Sequence, residues 1–175
     1  MEYVVVGLRS LIVLVFVVSA ASKVRGRRAY AEFVTATGRL SPRRVSVATA
    51  RRLATGVVAA ELATVMLVLV PRTATMGFAV AATLLLAFTG AILLALRRGE
   101  RAPCRCFGSA EQPLGYPQVA RNLLLLAACT LGLAGGQLVV ASPSPGGALL
   151  AVAAGALAAT LVAVFDDLVA LFRPP

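Results

Sequence analysis

Apolar residues fall in five long runs, 3–21, 53–70, 73–96, 123–141 and 148–165, separated by short stretches that hold nearly all the charge. Each run has 18 or more residues, close to the roughly 20 that a helix needs to cross a bilayer. None alternates polar and apolar positions as a barrel strand does, and a chain in lipid must satisfy its backbone internally. The pattern predicts one all-α integral membrane domain over residues 1–175: a helical bundle of about five transmembrane helices, a four-helix core plus a C-terminal span. The first run lacks a basic leader, starts with Glu2 and exceeds the apolar core of a signal peptide, so it reads as a retained helix.

The connections differ in character. Between the first two runs lie nine cations, Lys23, Arg25, Arg27, Arg28, Arg39, Arg43, Arg44, Arg51 and Arg52. Within them Tyr30, Phe33 and Val34 sit at helical spacing before Gly38, which predicts a short interfacial helix over residues 29–37. Ser41-Pro42 marks a fresh start, since Pro is tolerated in a first turn. The third connection, 97–122, contains Pro103, Pro113, Gly115 and Pro117 and reads as a loop. In the third run, Gly77, Ala81, Ala82 and Gly90 would allow close helix packing.

Only 14 per cent of the residues are charged and 59 per cent are hydrophobic, so the net charge of +10 belongs to the loops of a membrane protein. Lipid and topology account for it; with no basic face interleaved with aromatics, nucleic acid is not an expected partner. The third connection holds five cations, the second only Arg72 and the fourth none. Positive-inside logic puts the first and third connections on the cytoplasmic side of a multi-pass protein of the cell membrane. The chain has no histidine, which removes the commonest metal ligand and the usual acid/base near neutral pH. No metal site is expected, and no cofactor is evident; a quinone has no visible handle.

Chemistry concentrates in the third connection, at Cys104-Arg105-Cys106-Phe107-Gly108. Thiols one residue apart can close a small, strained and readily reduced disulfide. Arg98, Arg101 and Arg105 favour the attacking thiolate. Two inert thiols, or half of a soft-metal site, fit the same spacing. Cys104, after Pro103, is the better placed nucleophile; Phe107 would anchor the loop and Gly108 let it turn. Cys129 is a candidate relay thiol, or a buried packing residue. Arg9 and Glu61 are ionisable residues inside spans, where charges are normally paired. If both helices end flush, the two lie about 5 Å apart in depth at 1.5 Å per residue, which predicts an intramembrane pair.

On these residues the chain resembles the MauE branch of the DoxX/MauE-like membrane proteins, over roughly residues 5–140. The resemblance rests on Arg9, the stretch from Val15 to Lys23, Glu61, Arg97-Arg98-Gly99, Cys104-Arg105-Cys106-Phe107-Gly108 and Arg121-Asn122. The family is named for a component of methylamine utilisation, and the resemblance implies a role in maturing disulfide-containing extracytoplasmic enzymes, alongside a thioredoxin-like partner. The expected function is thiol-disulfide exchange by Cys104 and Cys106. That role is in tension with the charge count, which puts these thiols on the cytoplasmic side. Two other classes fit the sequence: a small transporter or channel with a polar path through Arg9, Glu61 and Asp166, and a non-catalytic assembly factor.

Overall fold

A computed structural model describes residues 1–41, 45–99, 115–136 and 144–171, the last seven of these by backbone alone. Its elements are α1 (Glu2–Val24), α2 (Arg27–Leu40), α3 (Val47–Leu69), a 3-10 turn (Pro71–Thr73), α4 (Ala74–Arg97), α5 (Tyr116–Gly136) and α6 (Pro145–Leu171). Five helical segments, α1, α3, the turn with α4, α5 and α6, are long and apolar enough to span a membrane, as the five runs predict. Among the described residues every regular element is helical.

Helix ends follow local chemistry. Ser46 caps α3, its Oγ accepting the Thr49 N–H at 3.2 Å, so α3 starts six residues before the apolar run and takes in Arg51 and Arg52. α4 stops at Gly99, whose φ of 71° is the left-handed conformation that ends a helix; its N–H bonds to the Leu96 carbonyl at 3.0 Å. This gives Arg97-Arg98-Gly99 a local reason. α5 begins at Tyr116, well before residue 123. Pro117 falls in the first turn, where its missing N–H costs nothing, and Gln118 Oε1 accepts the Gly115 N–H at 2.9 Å. The reading of 97–122 as loop is therefore corrected from Tyr116 onward.

α1 is the hub, packed against α2, α3, α5 and α6, while α4 packs on α3 and α5. One apolar core joins Leu11, Ile12, Val15 and Phe16 of α1 to Val65 and Val68 of α3, Phe78 and Leu85 of α4, and Leu125 of α5. α2 lays Phe33 and Val34 on Ala50, Ala54 and Val58 of α3, so its apolar face is spent on protein. Small residues set the closest approaches. A Cβ at Gly155 would run into the Gly7 carbonyl across the α1–α6 seam, and one at Gly132 into the Phe78 ring. Gly77 and Ala81 are packed as expected, against Val68 and in the core; Gly90 faces open space.

Candidate functional site

α1 and α4 finish at the end of the bundle where α3 and α5 begin. Ile92 and Ala95 of α4 pack there with Leu40 of α2 and Val119 of α5, and Arg98 Nη1 donates to the Ser41 carbonyl at 3.2 Å. Cys104, Arg105, Cys106, Phe107 and Gly108 lie outside the described residues. The described residues that flank them, Gly99 and Gly115, both belong to this end.

Beneath it lies a buried polar cluster. Ser19 and Lys23, four residues apart, share one face of α1. Lys23 Nζ meets Glu61 Oε1 of α3 at 2.7 Å, and Ser19 Oγ donates to the same oxygen at 2.8 Å. Lys23 also donates to Ser19 Oγ at 2.6 Å. The ammonium lies 5.2 Å from the centroid of the Phe33 ring and 5.9 Å from that of Phe88, within the range of a cation–π attraction. Lys23 and Glu61 are 2 and 0 per cent exposed. A charge pair this dry is held only by close geometry and further hydrogen bonds, which Ser19 supplies on one side. Glu61 Oε2 is buried with no hydrogen-bond partner among the described residues.

α5 adds Gln118, Arg121 and Asn122, all buried, with Arg121 at 1 per cent exposure. Gly135 packs beside Val5, and the antiparallel register this sets carries Arg121 to the level of Ser19. Among the described residues this end of the bundle thus buries two cations, Lys23 and Arg121, with one carboxylate, Glu61. Cys129 is fully buried in the apolar core. It lies eight residues beyond Arg121, about 12 Å deeper along the helix.

The expected Arg9–Glu61 pair does not form. Arg9 donates from Nε to the Val68 carbonyl at 2.9 Å and from Nη2 to that of Leu69 at 2.7 Å, while Glu61 takes Lys23. The helices do not end flush: α1 leads by about seven residues, so Arg9 sits at the last turn of α3 and Ser19 at Glu61. Ten residues, about 15 Å of helix, separate Arg9 from Ser19, and Ile12, Val15, Phe16, Val65 and Val68 fill the space between with apolar side chains.

Lys23 was legible as a motif residue, but its place in a basic connection reads as loop charge. The pattern that singles it out is Ser19-x-x-x-Lys23 on the last turns of an apolar helix. Likewise Gln118, Arg121, Asn122, Leu125 and Cys129 recur at three and four residues, one continuous face of a helix read as beginning only at 123.

A family model described as methylamine utilisation protein MauE matches residues 1–135. The chain belongs to the MauE family. The match takes in α1 to α5 and the segment with Cys104 and Cys106, and stops before α6. Both halves of the Lys23–Glu61 pair, and Arg121, fall inside this MauE portion. No curated protein and no solved structure matches the chain.

Proposed function

We propose that this MauE-family membrane protein is a thiol-disulfide exchanger in which Cys104 and Cys106 cycle between dithiol and disulfide with a thioredoxin-like partner, in support of enzyme maturation. The observation that carries the reading is a juxtaposition. The two helices joined by the Cys104-Arg105-Cys106 segment end and begin where a buried Ser19, Lys23, Glu61 and Arg121 cluster closes the bundle. In one direction the Cys104 thiolate attacks the partner's disulfide to form a mixed disulfide, and the Cys106 thiolate displaces the partner. Two electrons pass to the partner, whose two sulfurs end as thiols with the two protons that the Cys104 and Cys106 thiols gave up. The reverse reaction oxidises the partner. Positive charge from Arg105, and from a cluster with two cations against one carboxylate, favours the thiolate that either direction needs. Cys129, in the apolar core, is a packing thiol in this mechanism.

The test is trapping. Cys106→Ser should accumulate a mixed disulfide between Cys104 and a partner, visible on a non-reducing gel and lost on reduction. Absence of any adduct from either single variant, with full activity in the double variant, would reject the exchange. The apolar layer between Arg9 and Glu61 weighs against the transporter reading; the third member of that path, Asp166, has its side chain outside the described residues.

A further inference from the structure

Arg9 belongs to neither the cluster nor the core. Its guanidinium has five N–H donors, of which two are used, on the Val68 and Leu69 carbonyls. No carboxylate pairs with it among the described residues, and the acid nearest in sequence, Glu2, is two turns away along α1. Arg9 lines a cleft of about 320 Å³ between α1, α3 and α6, walled by Val13, Leu14, Val68, Leu69 and Val152. Leu14, Leu69 and Val152 are each more than a third exposed on the outside of the bundle, where a membrane protein meets acyl chains. Ser10 Oγ bonds to the Val152 carbonyl at 3.1 Å and holds α6 against this wall.

Depth supplies the second argument. Arg9 is level with the last turn of α3, directly before Pro71–Thr73, and Arg72 in that turn is exposed. A charged turn between two spans belongs near the lipid headgroup zone, so Arg9, beside the last turn of α3, is within snorkelling reach of phosphate. A cation with unused donors at that depth, over a groove lined with apolar side chains, matches an amphiphile with an anionic head and a hydrocarbon tail. An N–H fork suits phosphate oxygens in particular.

We propose that the Arg9 cleft binds one anionic phospholipid, its phosphate on the Arg9 guanidinium and an acyl chain along the groove between α1, α3 and α6. The site is independent of the exchange chemistry and lies at the opposite end of the bundle.

The full chain, in phosphatidylcholine nanodiscs doped with phosphatidylglycerol, would be ejected into a mass spectrometer and its retained lipid identified. The wild type should retain phosphatidylglycerol at least fivefold over its share of the bilayer. Arg9→Gln should abolish the enrichment; Val152→Trp, which fills the groove and leaves the Arg9 bonds to α3 intact, should displace the lipid whatever its head. Arg28→Gln, on an exposed side chain of α2, should change nothing. Equal retention of both lipids by the wild type, or enrichment undiminished in Val152→Trp, would overturn the proposal. If Arg9→Gln fails to fold, Val152→Trp decides alone.

Discussion

Lys23 is fastened by three different kinds of contact: an ion pair with Glu61, hydrogen bonds to Ser19, and the faces of Phe33 and Phe88. Removing one member of such a pair strands the other charge in a dry interior, which typically costs about 3–5 kcal/mol, whereas replacing both by apolar residues is often neutral. Lys23→Met should therefore unfold in detergent at markedly lower denaturant or temperature than the wild type. The double variant Lys23→Met/Glu61→Leu should recover most of that loss in the same melt. If the double variant loses more than the single one, the pair is not the unit of stability. The same reasoning explains why the sequence misassigns Glu61. Spacing along the chain gives depths only relative to helix ends, and the seven-residue lead of α1 over α3 is a tertiary fact with no local signature.

Among the helices, what the sequence shows well is length and apolarity, and what it hides is the ends. The five spans follow from long apolar runs, the first two each broken by a single ionisable residue, Arg9 and Glu61. Proline, glycine and charge around 113–122 look like loop, yet Pro117 opens α5 and Arg121 and Asn122 are buried inside the bundle. The placement of Cys104 between two helices was readable; the polar floor at that end was not, because its members come from three helices far apart in sequence. Packing between α1 and α6 depends on backbone meeting backbone at Gly7 and Gly155. Lipid tails are as apolar as side chains, so such seams rest on close contact and on hydrogen bonds such as that of Ser10 Oγ to the Val152 carbonyl. Gly155→Val, which drives a side chain into the Gly7 carbonyl, should loosen α6 by about 1–3 kcal/mol, the usual cost of overpacking. Hydrogen exchange should then quicken across α6 while α3 and α4 keep their protection; uniform protection in the variant would mean that the seam gives way elsewhere.

For the whole molecule the charge is one-sided. Among the described residues, the end that holds α2, the start of α3 and the junction of α4 with α5 carries Arg25, Arg27, Arg28, Arg39, Arg51, Arg52, Arg97 and Arg98, against Arg9 and Arg72 towards the other. This asymmetry predicts a cytoplasmic site for the basic end. In cells, Thr49→Cys should resist a membrane-impermeant maleimide and Thr75→Cys should react, both in a Cys104→Ser/Cys106→Ser background. The opposite pattern would put the exchange site on the outer face, where a partner acting on extracytoplasmic enzymes would meet it directly.

Tyr3 Oη and Ser144 Oγ, 3.0 Å apart, join the starts of α1 and α6 at one end of their seam, across 141 residues of sequence. Synthesis at about 5–20 residues per second puts about 7–28 s between the appearance of the two groups on the ribosome. By the end of that interval the nascent chain owns every residue of the Lys23–Glu61 floor, while the wall that Val152 gives the Arg9 cleft does not yet exist. The polar end of the bundle is thus ready to assemble early, and the first helix to be made is the last to be enclosed.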